Sequence, residues 1–148
     1  MDILVCSIEE QKIGLELDKI NSVVLAVETT PVPHASDYFL GAINVHGSVA
    51  PVLNMRKLLG LPAKELEIKD HFILCTIHEK QAALWVDSVL YVKNYEEELL
   101  PADSYLPNLA GLQYLVKEKD GQIILIYNLE KLLPSDSLLL EKSRPLPC

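Results

Sequence analysis

Short segments in which apolar residues alternate with polar or small ones dominate this chain. Ile13, Leu15 and Leu17, for example, are separated by Gly14 and Glu16, which is the two-residue period of a half-buried β-strand. Segments of this kind predict strands at residues 3–8, 13–17, 22–27, 42–45 and 49–53, and again at 72–77, 82–86, 89–93, 112–117 and 122–127. Since closure into a barrel removes exposed sheet edges, these short strands favour a mainly β protein with two five-stranded barrels.

An internal repeat supports this division into two barrels. Residues 5–20 align without a gap on residues 74–89, and residues 47–59 align on residues 121–133. We interpret the chain as one domain, 1–148, with repeat copies at 3–59 and 72–133, a joint at 60–71 and a C-terminal segment at 134–148. The sequence leaves open whether each copy forms its own barrel or exchanges its N-terminal strand with the other copy.

Short helices are expected at the end of each copy. Asn54 and Asn128 are residues that cap helix N-termini well, and each precedes a short helix-compatible segment. A further helix is predicted to begin at Ser135, where Leu138 and its neighbours would form an apolar side.

Composition and charge exclude several classes of partner. The chain has 148 residues and a net charge of −8, and it lacks the clustered cations with which proteins bind a nucleic-acid backbone. No segment approaches the roughly 20 consecutive apolar residues of a membrane-spanning helix. Three cysteines are too few and too widely spaced for a disulfide framework. We therefore expect a cytoplasmic protein that neither binds nucleic acid nor inserts directly into a membrane.

The side chains that could carry chemistry do not form a convincing site. His71, Cys75 and His78 are the densest group of possible metal ligands, but on a strand His78 would point away from the other two. We prefer a buried cysteine flanked by surface histidines. His46 and Ser48 lie near a turn without an evident third group to orient the histidine. We predict no catalytic residue, no metal site and no cofactor.

Two aspartates and the tryptophan have ordinary structural explanations. Asp18 and Asp87 occupy equivalent places in the two copies, just after a strand, and we expect each carboxylate to accept backbone N–H groups in an Asx-type turn. Trp85 aligns with Glu16 of the first copy, and core packing is the preferred interpretation over an exposed binding anchor.

Residues 38–56 carry a set of residues that resembles a known pattern. The members of the set are Gly41, Asn44, Val45, Gly47, Pro51, Val52, Met55 and Arg56. This segment resembles the CheW-like domains of bacterial chemotaxis coupling proteins. The resemblance extends to residues 13–20, 84–89 and 124–133, and therefore covers nearly the whole chain.

The resemblance implies two SH3-like β-barrels and a non-enzymatic adaptor. Members of this family couple the cytoplasmic tips of chemoreceptors to the regulatory domain of a CheA-type histidine kinase. The residues carried over to the receptor-binding groove are Ile20, Asn44, His46 and Gly47, and those assigned to kinase binding are Phe72, Asn94, Tyr95 and Leu99. The alternative is a small double-barrel module that binds a peptide or ligand outside chemotaxis.

Two positions depart from the family pattern. His46 stands where the family commonly has arginine, and Asn54 where it commonly has aspartate. Arginine carries a permanent charge and a bidentate donor, whereas an unperturbed histidine is mostly neutral at pH 7. One hypothesis is that an Arg/Asp pair was lost together. A second is that the protein serves a specialised or non-chemotactic array with altered partners.

Overall fold

The computed structural model describes residues 1–106 and 109–133. Its strands are β1 (Asp2–Ile8), β2 (Gln11–Glu16), β3 (Ile20–Leu25), β4 (Phe39–Val45), β5 (Ser48–Asn54), β6 (His71–Ile77), β7 (Lys80–Val86), β8 (Ser88–Asn94), β9 (Leu100–Pro101), β10 (Leu112–Lys117) and β11 (Ile123–Tyr127). The α-helices are α1 (Met55–Leu59) and α2 (Leu129–Leu132), and two short 3-10 helices span Leu17–Lys19 and Ala102–Ser104. Each of the ten predicted strands is present, and the two-residue β9 is additional. The helix predicted from Ser135 lies outside the described residues.

The strands form two sheets that share the same plan. One has the order β8-β1-β2-β11-β10-β9 and the other the order β3-β6-β7-β5-β4. In each sheet the hairpin at the start of one copy is inserted between strands of the other copy. The parallel pairs β2 with β11 and β5 with β7 complete this insertion. The mainly β fold is therefore confirmed, and the question left open by the sequence is answered by exchange of the whole first hairpin.

The two exchanged hairpins lie at the centre of the molecule because they are apolar on both faces. Leu4, Cys6 and Ile8 of β1 point into the largest core cluster, together with Ile73 and Ile77 of β6. The alternate residues face outward from this cluster into separate cores, one for each sheet: Ile3 and Val5 in one, Phe72 and Leu74 in the other. Because β1 and β6 are buried on both faces, their sequences are nearly continuous runs of apolar residues. The two sheets therefore share one central core.

The segments that follow β3 and β8 lead back to the opposite edge of the same sheet. After β3 the chain reaches Thr30, which exchanges two backbone hydrogen bonds of 2.9 Å with Ala42 of β4. After β8 it reaches β9, which pairs with β10. The segment after each of these edge strands therefore pairs with a strand at the opposite side of the same sheet. This pairing limits the number of unpaired backbone groups at the sheet edges.

Both short helices begin at the predicted caps. The Asn54 side chain accepts a hydrogen bond from the Lys57 backbone N–H at 3.2 Å. The Asn128 side chain accepts from the N–H groups of Glu130 and Lys131. Helix α1 ends at Gly60, whose φ of 71° is the left-handed conformation favoured by glycine after a helix.

Candidate functional site

The turn between β4 and β5 brings three of the four predicted receptor-binding residues together. His46 and Gly47 form a two-residue loop with φ values of 50° and 86°, as the primed turns of tight hairpins require. The Gly47 backbone N–H donates to the Asn44 side-chain oxygen at 2.8 Å. All three residues are exposed. The hairpin therefore presents a fixed polar surface at one end of its sheet.

Ile20 lies elsewhere, on the edge strand β3. Within the sheet, β6, β7 and β5 separate β3 from β4. Ile20 is half-buried and packs against the central core. It also lines an open cleft of about 710 Å³, and the other described residues in its walls are Met1, Asp2, Glu16, Leu17 and Asp18. The predicted receptor-binding residues thus form two features, a hairpin turn and a cleft beside β3.

The two departures from the family pattern lie at opposite ends of β5. His46 precedes this seven-residue strand and Asn54 ends it. A strand rises about 3.3 Å per residue, so roughly 20 Å separates the two positions. The hypothesis that these residues replace a mutually supporting Arg/Asp pair is therefore wrong. Asn54 has a local role instead, as the N-cap of α1.

Replacing Asn54 by alanine is expected to lower the free energy of unfolding by about 1 kcal/mol, because the Lys57 N–H loses its acceptor. Replacing it by aspartate, the residue common in the family, keeps an acceptor at the helix N-terminus and should leave stability within about 0.5 kcal/mol of wild type. Urea-induced unfolding followed by circular dichroism measures both. Equal losses for the two variants would contradict the capping role.

The predicted kinase-binding residues differ in their exposure. Phe72 has a relative exposure of 0% and Tyr95 of 1%, so both are core side chains. This corrects the expectation that they contact a partner directly. Asn94 is exposed and donates to the Asp2 carboxylate at 2.9 Å. Leu99 is half-buried against the core that contains Tyr95.

Tyr95 directly follows β8, and its side chain reaches Glu118, which follows β10 on the far side of the same sheet. Its hydroxyl donates to the Glu118 carboxylate at 3.0 Å, and the Tyr91 hydroxyl donates to the same oxygen at 2.9 Å. Burial, reinforced by these interactions with Glu118 and Tyr91, raises the pKa of Tyr95 well above its ordinary value. The side chain is a structural link, and the Lys93 ammonium lies 5.2 Å from the centre of its ring.

A charged cluster around the buried Arg56, which sequence reasoning missed, joins the two sheets. Arg56 of α1 is 4% exposed; it donates to the carboxylate of Glu9, in the β1–β2 turn, and to that of Asp87, after β7, at 2.7 Å. These carboxylates keep the pKa of Arg56 above its ordinary value although burial opposes this. Arg56 belongs to the family pattern, but nothing in the pattern indicates its partners.

The two aspartates of the repeat have different environments. Asp87 accepts the Glu9 backbone N–H at 2.9 Å besides the Arg56 guanidinium. The expected Asx-type turn is therefore replaced by contacts from a distant turn and helix. Asp18 is exposed and lines the cleft beside β3. The two equivalent positions therefore share the residue type but not its contacts.

A buried acid fixes the joint between the copies. Asp70 is 0% exposed; its carboxylate accepts from Lys64 at 2.6 Å, from the Glu67 N–H at 2.9 Å and from the Trp85 ring N–H at 3.0 Å. Burial alone would raise the pKa of Asp70, but these hydrogen bonds outweigh it and the pKa is lowered. Trp85 is consequently a core residue, as preferred from the sequence.

The residues considered as metal ligands are dispersed. Cys75 is fully buried, and burial raises the pKa of its thiol to about 12. The His78 ring lies at the end of α2, where its Nε2 is 2.9 Å from the Glu130 carbonyl oxygen. Within residues 1–106 and 109–133, no three side chains of His, Cys, Asp or Glu are grouped as metal ligands. In the same residues no helix is long and apolar enough to cross a membrane.

The fold is shared by a scaffolding protein of known structure. The scaffolding protein TtCheW of Thermoanaerobacter tengcongensis superimposes with a TM-score of 0.80 and 26% sequence identity, over 92% of this chain and 94% of that one. The family model for the CheW-like domain matches residues 2–137. The chain therefore belongs to the CheW-like family.

Curated relatives agree with this assignment. The chemotaxis protein CheW of Thermotoga maritima is 26% identical over 132 residues, which cover 89% of this chain and 87% of that protein. The CheW of Rhizobium meliloti is 27% identical over 109 residues, which cover 72% of this chain and 70% of that protein.

Proposed function

We propose that this chain is a non-enzymatic, cytoplasmic adaptor that couples the tips of chemoreceptors to the regulatory domain of a CheA-type histidine kinase. The observation that carries the proposal is the match of the CheW-like domain to residues 2–137, together with the exposed β4–β5 hairpin that the family pattern marks. An adaptor holds its binding surfaces in a fixed arrangement, and the shared core between the sheets supplies the required rigidity.

The receptor-binding surface consists of the hairpin turn and the cleft beside Ile20. The turn is preorganised, because its left-handed residues and the bond from Gly47 to Asn44 fix its shape before binding. A preorganised turn loses less conformational entropy when a partner binds, so more of the contact energy appears as affinity. The cleft adds apolar surface from Leu17 and Ile20, the kind of surface at which binding energy concentrates.

The kinase-binding surface lies around Asn94 and Leu99, at the end of β8. With Phe72 and Tyr95 in the core, the exposed apolar residues nearby are Leu90 and Val92 of β8, which are 43% and 51% exposed. A few apolar residues of this kind suffice for a specific contact when they are desolvated together.

Two binding experiments test the adaptor function. The purified chain is expected to co-elute in gel filtration with the regulatory domain of the CheA-type kinase from its own organism, and to bind a fragment of the cytoplasmic receptor tip in isothermal titration calorimetry. Absence of binding to both would overturn the proposal. Thermal stabilisation by a small molecule without kinase binding would instead support the alternative, a ligand-binding module outside chemotaxis.

His46 is expected to determine receptor preference. Replacing it by arginine places a longer side chain with a permanent charge at the turn, so the affinity for the cognate receptor fragment should fall about fivefold to tenfold. His34→Arg is a matched control, because His34 is also exposed and also left-handed, with a φ of 63°. Calorimetric titration of the three proteins measures the effect. Equal affinity of wild type and His46→Arg would show that residue 46 does not determine which receptor is bound.

A further inference from the structure

Asp18 follows the first exchanged hairpin and Asp87 follows the second. The surroundings of these two equivalent aspartates can therefore be compared. Asp87 accepts from the Arg56 guanidinium at 2.7 Å, and its other oxygen lies 3.8 Å from the Lys64 ammonium. In the alignment of the copies, Asp18 corresponds to Asp87 and Glu130 corresponds to Arg56. The position that supplies a cation in one copy therefore supplies an acid in the other.

The charges around Asp18 are left unbalanced by this change. The Lys19 ammonium lies 3.1 Å from the Glu130 carboxylate and pairs with it. Among the described residues, neither Glu16 nor Asp18 has an ion-pair partner. Burial, the nearby charge of Asp18 and a hydrogen bond between these two side chains raise the pKa of Glu16, and the charge of Lys19 opposes them only in part. A cation placed between Glu16 and Asp18 would relieve this repulsion.

The space beside these carboxylates can accommodate a side chain. Glu16 and Asp18 line the cleft of about 710 Å³ with the half-buried Leu17 and Ile20. A second cleft of about 160 Å³ shares Glu16 and continues along Lys19 to Glu130. Apolar walls with an acidic end match lysine and arginine, whose aliphatic stems pack on apolar surface while the charged group binds carboxylates.

We propose that the protein segment bound in this cleft inserts an arginine or lysine side chain between Glu16 and Asp18. The partner thereby supplies in trans the cation that Arg56 supplies to Asp87 within the chain. This inference rests on the proposed function, since it takes the cleft beside Ile20 as part of the receptor-binding surface. It adds the chemistry of the contact, a basic residue flanked by apolar ones.

Calorimetric titration with the cytoplasmic tip fragment of the cognate receptor, at low and at physiological ionic strength, tests the inference. Asp18→Asn and Glu16→Gln are each expected to weaken binding about threefold to tenfold and to reduce its salt dependence. Glu65→Gln changes the net charge equally at an exposed position of the joint and should bind as wild type. Asp18→Lys should weaken binding more than Asp18→Asn, and a Lys→Glu or Arg→Glu change at one receptor position should restore it.

The outcomes separate this inference from the proposed function. Normal binding by Asp18→Asn and Glu16→Gln, with loss of binding by Ile20→Ala, would overturn the basic contact and retain the cleft as receptor site. Normal binding by Ile20→Ala would overturn the cleft itself, and the inference with it. The sequence also contains Lys142 and Arg144. If replacing both by glutamine removed the effect of Asp18→Asn, the cation would come from this chain, and the proposal would fail.

Discussion

Replacing Phe72 by alanine is expected to lower the free energy of unfolding by about 3–5 kcal/mol, and replacing it by aspartate to prevent folding. The side chain is 0% exposed and packs with Trp85, Leu74 and Val52 in the core of its own sheet. The alanine variant loses buried apolar area and leaves a cavity. The aspartate variant would place an unpaired charge in that core, which costs several kcal/mol more.

Guanidinium-induced unfolding measures the alanine variant, and circular dichroism with gel filtration shows whether the aspartate variant folds. Val49→Asp is the control, because Val49 is an apolar strand residue of the same sheet that is 69% exposed. It should remain folded, within about 0.5 kcal/mol of wild type. A folded Phe72→Asp protein with weakened kinase binding would restore Phe72 as a surface contact.

Replacing Arg56 by leucine is expected to lower the free energy of unfolding by about 2–4 kcal/mol. Loss of one member of a buried ion pair typically costs about 3–5 kcal/mol. The expected value is lower here because Glu9 is 46% exposed and water can solvate it when the guanidinium is absent. The substitution also removes the hydrogen bond of 2.9 Å from Arg56 to the Pro62 carbonyl oxygen, which holds the joint.

Lys57→Leu provides the comparison for Arg56, since Lys57 is the adjacent cation of α1 and is exposed. Its effect should stay within about 0.5 kcal/mol. A double-mutant cycle with Asp87→Asn should give an interaction energy of about 1–3 kcal/mol. Additive effects of Arg56→Leu and Asp87→Asn would show that the guanidinium and the carboxylate stabilise the fold independently.

The strands could be predicted from the sequence because alternation is a local signal. β2 is an example, since Ile13 and Leu15 alternate with less apolar residues, and each predicted cap, Asn54 and Asn128, accepts the expected backbone hydrogen bonds. Tight turns such as His46-Gly47 are also determined by neighbouring residues. Family resemblance added the hairpin as a candidate binding surface, which alternation alone does not indicate.

Pairing between distant strands is not encoded locally, and this limited the rest of the prediction. β1 and β6 each bury one face in the central core and the other face in a second core, and the exchange of hairpins depends on which strands provide that second core. The signal that both faces are buried was present, as an uninterrupted apolar run from Ile3 to Cys6 and another from Phe72 to Cys75. Read in that way, these runs would have placed Phe72 in the core. The contacts of Arg56 with Glu9 and Asp87 had no comparable signal, because they join three separate parts of the chain.

The insertion of each hairpin into the other copy's sheet has a consequence for biosynthesis. The N-terminal hairpin, made first on the ribosome, must wait for β8 and β11 before its sheet is complete. A nick within residues 60–71 would leave two fragments, each carrying a hairpin that belongs to its counterpart and lacking the one it needs. Such fragments could regain the native arrangement only by associating with each other.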